Sequence, residues 1–377
     1  MRGSGKRRFA ALSLTLLGSA ALAAPACGTT RPITLTFYSS GDVNVHHLWA
    51  SDLLPMYAKI CSQVHIRLVF STHGTADQLT LDRLAAAKQA GKPSGVDLWE
   101  SGLLLEAGQS GLLRKLSPAA ISNLKRVNPE VFASYGGYGV PYRGSSVVLA
   151  YNSNHIAHPP RTLSGLERWI QAHPGKFTYN PPNTGGSGDA FVQAVLEQFL
   201  QPAESKAFFT GYAPQLEAQW KPGWHELIKL GKDMYQGGFY PQGNVGVLQA
   251  LGRGSIWMAP VWSDMSLSYL AQGLLPSSIK LEQLQPPFYG GSAYIGIPKD
   301  SAHPQAAEAF LNWLLTPGPQ AVVVHQMHGY PGVEWKYVPS SVQRKFAAIA
   351  ENYGVGFSPK FDADMAQKWS QKVAGSH

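Results

Sequence analysis

"NPPNTGGSGDAFVQAVLEQFL", residues 180–200, places two prolines and three glycines between a strand-like run at 176–179 and a helical pattern that begins near 188. A β-prone run, a Gly/Pro/Asn-rich loop and an amphipathic helix in that order form the building unit of an α/β chain. The glycines would let backbone N–H groups approach a bound group closely, and Ser187 is placed to cap the helix. A helix start of this kind favours anions or polar oxygens. The plainer reading is a capped turn in which Asp189 complements the helix dipole.

The same unit recurs along the chain. Strand-like runs lie at 33–38, 64–70, 96–98, 146–151, 177–179, 255–259 and 293–297, with helical patterns at about 46–60, 76–90, 162–173, 188–200, 224–236 and 263–273. Ligands of open α/β sheets bind outside the carboxyl ends of the strands. Four such ends, at 38–42, 99–102, 180–189 and 260–264, are rich in small, polar or aromatic residues and lead toward helices.

The length of 377 residues exceeds a comfortable single core, so two lobes are expected. Arg2, Lys6, Arg7 and Arg8 precede an apolar run at 9–24 and then Pro25-Ala26-Cys27. That pattern reads as an export signal over residues 1–26, because the run is too short to span a bilayer. Residues 1–26 hold four basic and no acidic residues, so the formal net charge of +8 falls to +4 without them. No basic cluster argues for nucleic acid. Cys27 and Cys61 are the only cysteines. One lies ahead of the first strand and the other ends the helix after it, which puts both at one edge of a right-handed strand–helix–strand unit. A Cys27–Cys61 disulfide suits an exported protein. A lipid anchor at Cys27 is the alternative, although Ala24 and Pro25 depart from a lipoprotein signal.

"YGVPYRGSSVVLAYNS", residues 138–153, and "GGSAYIGIPKDSAHPQAAEAFLNWLLTPGPQ", residues 290–320, resemble the outgoing and returning crossovers of extracellular solute-binding proteins, family 1, that serve ABC importers. The resemblance covers nearly all of the chain after its signal. It implies a two-lobed type II periplasmic-binding-protein fold, with residues 27–141 and 296–377 in one lobe and 142–295 in the other. Hinge segments would lie near 141–146 and 287–292. It further implies a periplasmic monomer without cofactor that closes on a small-molecule solute and delivers it to the permease and ATPase subunits of an importer. The nearest branch is the one that takes thiamine, polyamines and similar solutes.

The candidate ligand contacts are Ser40, Asp42, Trp99, Glu100, Tyr142, Arg143, Asn183, Ser187, Asp189, Trp262, Asp264 and Tyr289. Aromatic faces with carboxylates suit an organic cation, and aromatic faces with neutral polar groups suit a sugar or polyol. Arg143 complicates both, since it can grip a carboxylate or pair with one of the acids. A secreted hydrolase using the same cleft is the reading from another class, but the sequence supplies no evident set for it. His225-Glu-Leu-Ile-Lys229 lacks the second histidine of a zinc-protease helix, and the glycine-flanked Ser187 lacks the last glycine of a nucleophile elbow. His325 and His328 share a helical face without a further ligand cluster, so no metal is expected.

Overall fold

Alternation along the strands determines where each core forms. A computed structural model of the chain describes Met1 and residues 27–72, 74–201, 206–209, 211–346 and 356–374. The expected export signal, Met1 apart, lies outside the described residues. Strand β1 (Ile33–Gly41) pairs in parallel with β2 (Val64–Thr72) through nine residues and with β3 (Leu98–Glu100) on its other side. The remaining strands are β4 (Val140–Asn152), β5 (Met258–Trp262), β6 (Ile279–Glu282), β7 (Gly290–Gly296) and β8 (Tyr330–Pro331). They complete a mixed sheet in the order β2-β1-β3-β7-β4-β5, with β6 and β8 also paired to β4.

β4 runs through the whole arrangement. Its first half, from Val140 to Ser146, pairs antiparallel with β7, and from Val147 onward it pairs with β5 and then β6. Side chains of period two then supply separate cores on opposite faces. Val147 and Leu149 enter one core while Val148 and Ala150 enter another. In the amino-terminal half Leu98 and Ile295 enter one core while Trp99 and Tyr294 enter another. Each half of the sheet is thus sandwiched, and the antiparallel β4–β7 pair joins the halves where the two crossovers were expected.

The sequence-based boundaries need adjustment. β4 begins at Val140 rather than 146, and β5 covers 258–262 rather than 255–259. The expected strand at 177–179 is reduced to a single parallel bridge, Phe177 to Met258. The described residues after 296 pack in two different cores. Val342 packs in the first core, whereas Phe357, Phe361, Met365 and Trp369 pack in the second, against Phe208 and Tyr179. Large aromatic surfaces buried there hold the helix Pro359–Lys372 to the half that carries β5.

Cys27 and Cys61 are joined, with their Cα atoms 5.8 Å apart. The bond occupies the sulfur that a lipid anchor would need. Among the described residues no helix is long and apolar enough to cross a membrane.

Candidate functional site

The cleft opens where the two halves face each other across β4 and β7. It has a volume of about 690 Å³. Asp42, Asn44, Glu130 and Tyr135 line it from the first half, and Trp262, Asp264 and Tyr289 from the second. Arg143, Ser145 and the run Gly290–Tyr294 form its floor on the crossing strands.

Local structure sets the two opposed acids. β1 ends at Gly41, and Asp42 stands at the head of the helix Val43–His47. β5 ends at Trp262, and Asp264 lies in the first turn of the helix Ser263–Ala271, where a carboxylate complements the helix dipole. Neutral donors engage both. Asn244 Nδ2 donates to Asp42 at 3.0 Å, and Ser145 Oγ donates to Asp264 at 2.7 Å. Asn44 Nδ2 also reaches Asp264 at 3.5 Å. The Asp42–Asn244 and Asn44–Asp264 contacts bridge the two halves. Burial raises Asp264 above the usual carboxylate range, while the Arg143 guanidinium and the Ser145 hydroxyl oppose that shift.

Arg143 is bound from behind. Its Nε donates to the Tyr142 hydroxyl at 2.7 Å and its Nη2 to Glu100 at 3.3 Å. Burial alone would lower its basicity, but Tyr142, Glu100 and Asp264 outweigh this and raise it, so the guanidinium stays charged.

Five of the residues singled out by sequence meet at the cleft: Asp42, Arg143, Trp262, Asp264 and Tyr289. The others are placed elsewhere, each for a physical reason. Glu100 is buried and accepts from Ser39, Trp49, Tyr142 and Arg143. Tyr142 is fully buried beside Trp49, and Trp99 packs in the core behind the sheet. Ser40 does not line the cleft and lies near Asp77, whose carboxyl burial pushes up to about 6. Asn183 is exposed on the turn Pro182–Thr184 and does not line the cleft.

The opening loop proves to be punctuation. The helix begins at Gly186 after Gly185, whose φ of +151° a side chain rarely adopts, and Ser187 does not cap it. The free N–H groups of Ser187 and Gly188 are taken by the side chains of Asn244 and Asn180, at 3.3 and 2.9 Å. Ser187 is buried, its hydroxyl placed between the same two asparagines. Asp189 is buried behind Tyr289 rather than in the cleft.

Sequence reading missed Asn44, Glu130, Tyr135, Tyr294 and residues 356–359 of the lining. Tyr135 and Tyr294 stack at 3.8 Å between ring centroids and form a flat wall. Tyr294 lies in a run quoted for the return crossover, which was a signal available in the sequence. Glu130 stands in the first turn of the helix Pro129–Ser134, capped by Asn128, a short helix with little periodicity to reveal it. Among the described residues no group of three or more His, Cys, Asp or Glu is placed to hold a metal ion.

The family model described as bacterial extracellular solute-binding protein matches residues 62–344. No curated protein sequence matches the chain. Solved structures share the fold at low identity. An ABC transporter protein from Clostridium perfringens aligns with a TM-score of 0.66 at 16% identity, covering 90% of this chain and 98% of its own. The spermidine/putrescine substrate-binding protein PotD from Streptococcus pneumoniae gives 0.64 at 13%, covering 90% and 99%. Iron-bound HitA from Pseudomonas aeruginosa gives 0.63 at 19%, covering 91% and 99%. These neighbours make the two-lobed periplasmic-binding fold explicit.

Proposed function

Because the chain belongs to the bacterial extracellular solute-binding protein family, we propose that it is the periplasmic substrate-binding component of an ABC importer and captures a small organic cation, of the thiamine or polyamine kind, between its lobes. The lobes are residues 27–141 with the segment from 296 to 346, and residues 142–295 with the carboxyl-terminal helix. β4 and β7 act as the hinge. The protein carries the solute and hands it to a permease and its ATPase, functioning as a monomer.

The observation that carries the cation reading is the pair of opposed carboxylates, Asp42 from one lobe and Asp264 from the other, with Glu130 on the same wall. Among the described residues Arg143 is the one arginine that lines the cleft, and it is already engaged by Glu100 and Tyr142. Negative charge in the cleft therefore exceeds positive. Trp262, Tyr289 and the Tyr135–Tyr294 stack supply ring faces beside these acids, the arrangement that favours a desolvated cation.

The test is thermal melting of the mature protein with spermidine, putrescine, thiamine, glucose and sorbitol. A ligand at 100 times its dissociation constant adds about 2.7 kcal/mol, which moves the midpoint by several degrees. A shift with a cation that Asp264→Ala or Trp262→Ala abolishes supports the reading. A shift with glucose or sorbitol alone keeps the binding protein and discards the cation.

A further inference from the structure

A second cavity, of about 700 Å³, lies where the carboxyl-terminal helix Pro359–Lys372 meets the short helix Pro214–Trp220 and the helix Lys221–Gly231 that continues it. Among the described residues it shares no lining residue with the solute cleft. Helical spacing decides what lines it. Lys221, Trp224, His225 and Ile228 follow one another along one helix face, and Lys368 and Lys372 stand one turn apart on the other helix. Trp224 and Leu227 on the first helix, with Met365 and Trp369 on the second, are buried in the second core. They fix both helices and leave the lysines beside them at the rim.

Three lysines meet one carboxylate in this lining. Glu217 is buried, with its side chain 6% exposed, and pairs with Lys368, whose ammonium also stands over the Trp220 ring at 5.7 Å. Lys368 is thereby held in place and its charge compensated. Lys221 and Lys372 are exposed and have no acidic partner among the described residues. Nearby acids are engaged elsewhere: Glu226 pairs with Lys229 at 3.2 Å, and Asp364 takes the Tyr212 hydroxyl. Three lysines against one glutamate leave the lining with a formal charge of +2, His225 counted as neutral.

The complement of such a lining is an anion of like magnitude with several acceptors. A phosphomonoester carries about −1.5 to −2 at neutral pH and three acceptor oxygens. A carboxylate brings one charge and two oxygens. Lysine binds phosphate as a point charge with three donors that turn to meet it, and the His225 ring offers a further N–H. Pro214, Ala218, Trp224 and Ile228 supply an apolar side to the cavity, which suits the carbon body of an ester better than a bare ion.

We propose that this cavity is a second binding site, separate from the solute cleft, and that it takes an organic phosphomonoester whose phosphate lies on Lys221 and Lys372. Lys368, held by Glu217, completes the positive field. A soluble ester and the headgroup of an anionic phospholipid present the same chemistry. The site stands whether or not the cleft takes a cation.

Two arms test this on the mature protein: titration calorimetry with glycerol 3-phosphate, beside glycerol, and sedimentation with phosphatidylcholine vesicles with and without phosphatidic acid. Binding is expected in at least one arm, as a dissociation constant of about 100 μM or tighter for the soluble ester or as retention that requires phosphatidic acid. Heat without retention supports the site and assigns it to soluble esters; retention without heat supports it and assigns it to a headgroup. In Lys221→Gln/Lys372→Gln, which alters two exposed side chains and leaves the core intact, binding is expected to weaken about tenfold or more. Lys125→Gln, an exposed lysine of the other lobe, is expected to change nothing. No binding in either arm, binding that the double variant retains, or an equal loss in Lys125→Gln overturns the proposal.

Discussion

Glu100 stands at the carboxyl end of β3, where a ligand contact belongs, yet both of its oxygens are taken by four side-chain donors. Its work is to compensate the largely buried Arg143 and to tie three elements together. Glu100→Ala removes the carboxylate bonded to that guanidinium, and thermal unfolding is expected to show a loss of about 3 kcal/mol. Position in the sequence showed that Trp99 and Glu100 end a strand. It did not show which side of the strand faced the cleft, because three residues give too little alternation to fix a face. Asp42 and Asp264 were legible for a different reason: each follows a strand end and opens a helix, and that junction fixes its direction toward the facing lobe.

At the scale of the element, the helix Gly186–Glu197 shows how much a loop can mislead. Its glycines serve close packing rather than a ligand, since a Cβ at Gly188 would lie 1.7 Å from the Asn180 carbonyl oxygen. Backbone cannot yield there as a flexible side chain would, so Gly188→Ala is expected to cost about 2–3 kcal/mol in chemical denaturation. The same helix places Asp189, Gln193 and Glu197 on one face at steps of four. Burial lifts Glu197 from 4.5 to about 7. The folded state therefore holds this proton more tightly than the unfolded chain. Its contribution is fully present below about pH 4.5, declines as the pH rises, and is gone above about pH 7, a loss of at most about 3 kcal/mol. Melting midpoints across that window are expected to fall in the wild type and to fall less in Glu197→Gln. The carboxyl-terminal helix was missed although its signal was present: Phe361, Met365 and Trp369 recur every four residues amid charged neighbours. Its position against the second lobe was not legible, because periodicity marks a buried face without naming what covers it.

At the scale of the molecule, two stretches carried the fold into view, the outgoing β4 and the returning β7, because hinge strands must pair with each other while leading into different cores. The cleft between them draws acids from both lobes, bridged here by Asn44 and Asn244. A cation seated there would replace these amide contacts with charged ones and hold the lobes together. Titration calorimetry of the mature protein with spermidine, putrescine and thiamine, beside glucose and sorbitol, measures this directly. At least one cation is expected to bind with a dissociation constant of about 10 μM or tighter, equivalent to about 7 kcal/mol, and the uncharged solutes are expected to give no heat of binding. Binding of glucose or sorbitol with no heat from any of the three cations would contradict a cleft built for positive charge.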